Sequence, residues 1–508
     1  MLDRNDAGDR AKAVPGYALP AIVVAAILTG IFAIDRQSYW MDELGTWQYA
    51  GVTGIGAWFR GFLAIGNSDG QLPLYHFLIF LWSRVAGLSE EGLRSLNALF
   101  LVGSVVAVAV NRALPGALRL RWLALLIANC FVWAYLNEAR PYVMLLAGSL
   151  CLTLALAEAY ARRAAPGRVA MGGVVTLFFT GALLSFGASP ISAPFIAAMA
   201  IGILGAAGTT AWPGIARIGR LRLLWCAICV LAAVIIAALV LYSLSKGATP
   251  ELRNSTSIAT TLFGVLEVIG GGGYVPGRDT LRTLGVHALQ PWQWAALGVL
   301  ALAWAAATLS ALLGRQRGLA AILIAIIAFS MLCAVIAGYA IGFRVVGRHF
   351  AFAVPPLALL MAIGCASAGR HVRGATLAAL ALLLGSTALF RLDGEHLKDD
   401  TGGIAAIVKD AQAHDRRTWW VGGYIVPLYF QLPTRDFRDD GAPRMAAWKA
   451  GEGEDWKASL DRLPVPDTLI VERPEVNDPE GMFARYAQRS GLTRKRELRG
   501  YVAYQRPR

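Results

Sequence analysis

The chain has 508 residues, 56% of them hydrophobic and only 16% charged, with a mean hydropathy of +0.53. Soluble domains carry about 25% charged residues, so these proportions exclude an ordinary water-soluble globule and describe a polytopic membrane protein. A formal net charge of +14 would point to nucleic acid in a soluble protein. Here the basic residues fall mainly in short loops between apolar runs, where topology accounts for them, and no nucleic-acid-binding module is visible. Cys130, Cys151, Cys226, Cys229, Cys333 and Cys365 all lie in apolar segments. The Cys226/Cys229 pair has no second pair to match it and reads as packed core thiols. Asn254-Ser255-Thr256 matches a glycosylation triplet, too short a match to be given a role.

The first apolar run, residues 17–34, is long enough to span a bilayer and has no small-residue cleavage site behind it. It is therefore expected to stay as the first helix, with Arg4, Arg10 and Lys12 holding the N-terminus in the cytoplasm. Directly after it come Tyr39, Trp40, Met41, Asp42 and Glu43. Two adjacent carboxylates just outside a bilayer fit either an acidic interfacial loop with aromatic anchors or an active site at a membrane face. Residues 35–93 form a long first outer loop, in which 44–62 mix aromatics and glycine as short interfacial helices do.

Residues 72–87 are apolar but only about fifteen residues long, against about 20 needed to cross. Charge decides the matter. If 72–87 does not cross, the loops carrying Arg112, Arg119 and Arg121; Arg162, Arg163 and Arg168; Arg217, Arg220 and Arg222; Arg315 and Arg317; and Arg370 and Arg373 all fall inside. Counting it as a span would put every one of them outside, so 72–87 is expected to be a juxtamembrane or re-entrant helix. The prediction is eleven spans, N-terminus inside and C-terminus outside.

Residues 245–290 then form a second large outer loop, with an amphipathic stretch over 258–269 and a flexible joint at Gly270-Gly271-Gly272-Gly273. The short loop 342–348 carries Arg344 and Arg348 to the outer face. From residue 392 the composition turns soluble. A helix over 403–413, strands at 418–421 and 467–471 and a closing strand at 501–504 predict a small α/β domain over 392–508, beside a transmembrane domain over 1–391. No Gly-rich phosphate loop occurs in it.

This topology gathers Asp42, Glu43, Asp69, His76, Arg94, Glu138, Arg140, Arg344 and Arg348 at or near one face. Carboxylates with arginines at a membrane surface suit a reaction between a hydroxyl and an anionic lipid-linked substrate. A carboxylate takes the acceptor's proton, and guanidinium forks neutralise a phosphate leaving group. Each residue also has a plainer reading. Arg94, Arg140 and Arg344 fit as helix-end anchors, Asp69 as a helix cap, His76 as interfacial packing, and Tyr39 and Trp40 as belt aromatics.

Asp42-Glu43 after the first helix, Leu72-Pro73-Leu74-Tyr75, Arg94-Ser95-Leu96-Asn97-Ala98-Leu99 and Glu138-Ala139-Arg140-Pro141-Tyr142 stand in the order seen in one known group. Arg348-His349-Phe350 with Pro355-Pro356, and Lys398-Asp399-Asp400, follow in the same order. Over residues 15–430 the chain resembles bacterial members of the dolichyl-phosphate-mannose–protein mannosyltransferase family, and more distantly the lipid A aminoarabinose transferase. The resemblance implies a GT-C fold and inverting transfer of a sugar from a polyprenyl-phosphate donor to a periplasm-facing glycolipid, glycan or protein hydroxyl, at the bacterial inner membrane. It implies Asp42 as catalytic base, with Glu43 and Glu138 as further acids, and Arg94, Arg140 and Arg348 at the donor phosphate. Tyr39, Trp40, Asp69, Tyr75, His76 and Tyr142 are candidate substrate-positioning residues.

Two departures stand out. Relatives commonly have His-Pro-Pro before Leu-Tyr where this chain has Gln71-Leu72-Pro73, and His-Tyr where it has Ser185-Phe186-Gly187. No cofactor is specified by the resemblance; a divalent metal stays open, although no ligand cluster supports one. The alternatives from other classes are a lipid-linked glycan flippase or transporter, and an O-antigen-type polymerase or ligase. Spans nearly free of acids disfavour the first, and the early carboxylate loop disfavours the second.

Overall fold

The computed structural model describes residues 16–64, 71–162, 171–207, 219–246, 256–277, 280–281, 284–422, 426, 445–448 and 464–507. Asp69, Arg163, Arg168, Arg217 and Asn254 lie outside the described residues. Contacts divide the chain into two units, Met1–Asp35 with Val52–Glu395, and Arg36–Gly51 with His396–Arg508.

In the first unit, among the described residues, eight helices are long and apolar enough to cross a membrane. They become nine if Gly116–Ala128 and Cys130–Leu136 count as one broken span. The eleven predicted spans are reached only if the shorter apolar helices Ala18–Ala33 and Gly172–Ala188, of 16 and 17 residues, also cross. At 1.5 Å per residue each is about 24–26 Å long, short of a hydrocarbon core of about 30 Å. Helix Pro73–Ala86 has 14 residues, or about 21 Å, and is not among the spanning candidates. It is amphipathic, burying Tyr75, His76, Ile79 and Phe80 on one side.

Helix Tyr142–Arg162 is the centre of this unit, its apolar stretch buried throughout. It can approach Gly172–Ala188 closely because both present glycine at the crossing. A Cβ on Gly148 would lie 2.5 Å from Ser185 Oγ, and one on Gly181 would lie 2.7 Å from the Gly148 carbonyl oxygen. Small residues at a crossing let backbones meet where lipid supplies no hydrophobic drive. Gly30 of Ala18–Ala33 meets Ala98 of Glu90–Val110 in the same way. That second helix starts at Ser89, whose side chain accepts from the Gly92 N–H, and Glu90 and Glu91 in its first turn complement the helix dipole.

Two helices break inside this apolar setting, and side chains satisfy the backbone groups that the breaks release. Gly116–Ala128 and Cys130–Leu136 meet at 59° about Asn129. Asn129 Oδ1 accepts from the Phe131 N–H at 2.9 Å, Thr387 Oγ1 donates to the Ala128 carbonyl at 2.9 Å, and Trp133 Nε1 donates to that of Ile127 at 2.8 Å. Ile258–Leu266 runs on into a distorted turn in which Gly270 has φ +95°. There Asn129 Nδ2 donates to the Val268 carbonyl at 3.1 Å and Trp304 Nε1 to that of Ile269 at 2.9 Å. The glycine run 270–273 is not the flexible joint predicted. Gly270, Gly271 and Gly273 are buried, the Gly273 N–H donates to Ser386 Oγ at 3.0 Å, and a Cβ on Gly273 would lie 1.7 Å from the Ser386 carbonyl oxygen. The glycines are there for close approach, which composition alone does not distinguish from a linker.

Among the described residues, the second unit is built on a five-stranded sheet in the order β2-β1-β3-β5-β4, with β1 Thr418–Val421, β2 Met445–Trp448, β3 Thr468–Glu472, β4 Arg494–Leu498 and β5 Tyr501–Gln505. Strands β2, β1 and β3 run parallel, and β5 and β4 are antiparallel. Strands β1 and β3 are buried at every position, as parallel strands covered on both faces are. The outermost strand β4 is exposed and reads Arg494-Lys495-Arg496-Glu497, a charged edge that resists pairing with another chain. Helix Met482–Arg489 lays Phe483 and Tyr486 on Trp419, Val421, Leu469 and Val471, with the Trp419 and Tyr486 rings 5.9 Å apart. Helix Met41–Gly51, which carries Asp42 and Glu43, also belongs to this unit.

Candidate active site

In the second unit, Asp42 and Glu43 fall in the first turn of Met41–Gly51, where carboxylates are favoured by the dipole. The two acids differ in their surroundings. Glu43 is fully buried; its Oε2 accepts from the Trp40 N–H at 3.3 Å, the reach-back of a capping box, and from Lys398 Nζ at 2.7 Å. Asp42, about 100° round the helix from it, is half-buried. Tyr39 and Trp40 are 1% and 6% exposed, so both are packed in protein and not spread on an interface as belt aromatics would be. The Tyr39 carbonyl accepts from Thr401 Oγ1 at 3.0 Å.

In the first unit, Arg94 is fully buried, with Nη1 2.9 Å from the Asp35 carbonyl oxygen and 3.8 Å from Asp35 Oδ1. Asp35 also accepts from Asn137 Nδ2 at 2.8 Å and from Arg391 Nη1 at 3.2 Å, and its N–H donates to Asn137 Oδ1 at 3.1 Å. One carboxylate thus ties together the ends of three helices. Asn97, on the same helix as Arg94, donates to the carbonyls of Tyr135 and Glu138. That contact fixes the turn in which the Arg140 N–H donates to the Glu138 carbonyl at 2.6 Å. Glu138 and Arg140 are 7% and 6% exposed. Tyr142 follows at once, and the guanidinium carbon of Arg348 stands 5.9 Å from its ring centroid, within cation–π range. The fold therefore draws Arg348 to the Glu138–Tyr142 turn from more than 200 positions away.

Arg348 lies in the short helix Gly347–Ala353, whose start is capped by His349 Nδ1 accepting from the Val346 N–H at 3.0 Å. Tyr75 and His76 are wholly buried within Pro73–Ala86, their rings 6.1 Å apart. Among the described residues no three His, Cys, Asp or Glu side chains come together as a metal site.

Four participants escape the sequence reading. Asp35, Asn97 and Asn137 give no local signal beyond lying near helix ends. Glu267 is a lone acid in the apolar stretch Ile258–Tyr274. Its carboxylate occupies the space a side chain at position 347 would need, with Oε2 only 1.8 Å from a Cβ built on Gly347. An ionisable residue in such a stretch is itself a signal.

No protein-family model matches the chain, and no curated protein matches it. Among solved structures, ArnT from Cupriavidus metallidurans bound to undecaprenyl phosphate is similar over 97% of this chain and 98% of its own, at 12% identity and a TM-score of 0.48. The apo state of ArnT from Cupriavidus metallidurans is similar over 96% and 97%, at 13% identity and a TM-score of 0.41. At this identity and these scores the two structures carry no assignment of function to this chain.

Proposed function

We propose that the protein is an inverting glycosyltransferase of the GT-C type. It moves a sugar from a polyprenyl-phosphate donor to a hydroxyl of a glycolipid, glycan or protein at the periplasmic face of the bacterial inner membrane. The observation that carries this reading is the difference in burial between the paired acids. Glu43 is fully buried against Lys398 and the Trp40 N–H, and Asp42, in the same turn, is half-buried and within reach of an acceptor. The convergence of Arg348 on the Glu138–Tyr142 turn supports it.

In the reaction the Asp42 carboxylate takes the proton of the acceptor hydroxyl as its oxygen attacks the anomeric carbon. The bond from that carbon to the phosphate oxygen breaks on the opposite face, and its electron pair leaves with the polyprenyl phosphate. Arg140 and Arg348 neutralise the departing charge. Arg94 holds the same region through Asp35. The positive-inside pattern of the loops supports a cytoplasmic N-terminus and a periplasmic C-terminal domain.

The test is release of free polyprenyl phosphate by the purified full-length protein, given the polyprenyl-phosphate glycolipid fraction of the host's membranes and its envelope extract. Asp42→Asn should abolish release while expression and membrane insertion stay intact. Full release by that variant overturns the assignment of Asp42. Movement of the glycolipid with no release identifies a flippase, and release of a pyrophosphate carrier identifies a polymerase or ligase.

A further inference from the structure

Residues flanking Asp42 on both sides are gripped by one short segment, 398–402, more than 350 positions further along the chain. The Lys398 N–H donates to Gln37 Oε1 at 2.9 Å, and Lys398 Nζ donates to Glu43 Oε2 at 2.7 Å. Thr401 Oγ1 donates to the Tyr39 carbonyl at 3.0 Å, and the Gly402 N–H to Ser38 Oγ at 2.8 Å. The grip ends on residues 37, 38, 39 and 43, which bracket Asp42.

The segment is itself held from three directions. Asp399 Oδ2 accepts from Arg473 Nε at 3.2 Å and Nη2 at 2.8 Å, and the Asp400 N–H donates to the Arg499 carbonyl at 2.8 Å. Asp400 also caps helix Thr401–Ala413 through the Gly403 N–H, and Thr401 Oγ1 lies 3.2 Å from Tyr501 OH. Gly500, at φ +76°, lets the β4–β5 turn close on Asp399, since a Cβ there would lie 2.6 Å from Asp399 Cγ. The sheet thus backs the segment, and the segment backs the loop.

Glu43 is fully buried and the Lys398 side chain is 11% exposed, so the pair is largely desolvated. Such a pair is a poor source of stability compared with apolar packing, because desolvation offsets its attraction; what it supplies is a single defined geometry. Here that geometry belongs to the first turn of the helix bearing Asp42.

We propose that Lys398 is a positioning residue for the transfer reaction, fixing the orientation of Asp42 through Glu43 without touching substrate. The proposal rests on Asp42 being the base, so the experiment carries Asp42→Asn beside it. Lys398→Met, Lys398→Arg, Glu43→Gln and the Lys398→Met/Glu43→Gln double variant are made in the full-length protein. Each is assayed for polyprenyl phosphate release from the host glycolipid fraction and for binding of undecaprenyl phosphate.

Lys398→Met and Glu43→Gln should each lower kcat on the order of 10- to 100-fold, the scale of a misplaced catalytic group, with apparent KM for the donor within about twofold. Undecaprenyl phosphate binding should be unchanged. The double variant should be no slower than the slower single one, because both act through one contact. Lys398→Arg, which keeps the pair, should recover most of the rate. If Lys398→Met does not fold, Glu43→Gln, of nearly the same shape, gives the same decision. Full kcat in Lys398→Met or Glu43→Gln overturns the proposal, as does an additive double variant. Loss of undecaprenyl phosphate binding in step with kcat also overturns it, by placing Lys398 on the donor. An active Asp42→Asn instead removes the reading on which the proposal stands.

Discussion

Arg94 Nη1 donates to the Asp35 carbonyl oxygen at 2.9 Å across 59 positions, joining the helix that carries Arg94 to the end of the first apolar helix. A guanidinium with no solvent exposure, committed to a backbone carbonyl and lying 3.8 Å from the same residue's carboxylate, is first of all a structural tie.

Arg94→Leu should lower the stability of the first unit by on the order of 2 kcal/mol, the usual cost of removing a buried charge-assisted donor. The reading is the thermal midpoint of the purified protein in detergent. Arg94→Lys should restore less than half of the loss. An unchanged midpoint in Arg94→Leu would remove the tie from the account.

Asn129 serves both helix breaks at once, capping Cys130–Leu136 and donating to the Val268 carbonyl. Asn129→Ala should cost roughly 2–3 kcal/mol, a lost cap together with an orphaned buried carbonyl. Hydrogen exchange should rise at 129–132 and 268–273 together, since one amide bridges both; a rise confined to 129–132 would argue against the bridge.

Gly273→Ala and Gly298→Ala form a matched pair. The first places a methyl group against the Ser386 carbonyl oxygen, while the second meets nothing within 4 Å. Gly273→Ala should cost about 3 kcal/mol or more by overpacking. Gly298→Ala, in the middle of helix Pro291–Leu313, should be neutral or gain up to about 1 kcal/mol. Equal thermal midpoints would restore the flexible-joint reading of 270–273.

Tyr501 sets a pH limit on the second unit. Burial, then the Glu472 and Asp399 charges, push its phenol above the ordinary 10.0. The folded state therefore keeps this proton at pH values where the unfolded chain has lost it. Its stabilising contribution is complete below pH 10.0 and falls as pH rises from there towards the raised folded value, by about 1.4 kcal/mol per pH unit. Hydrogen exchange in β3 and β5 of the full-length protein should accelerate above pH 10, and Tyr501→Phe should flatten that dependence.

Much of the architecture is written locally. Apolar runs and the positions of arginines locate the spanning helices and show that 72–87 is too short to be one of them. Alternation and composition find β1, β3 and β5 and the helix beginning at Thr401. These features are legible because hydrophobic period, charge bias and turn residues act over a few positions each. Strand β4 and helix Met482–Arg489 pass unnoticed, since both are short and rich in charge, and their place is set by the sheet they cover.

Composition and hydropathy are enough to read a membrane protein with a small α/β unit, and the ordered motifs single out Asp42, Arg140 and Arg348. Which polar group answers which is set by the folded chain. Asp35 pairs with Asn137 across 102 positions, Asn129 with Val268 across 139, and Lys398 with Glu43 across 355. A buried donor or acceptor must find a partner, but nothing local says where in the chain that partner lies. For the same reason two adjacent acids that look alike in sequence part company in the fold. Glu43 is fully buried against a lysine, and Asp42 is half-buried.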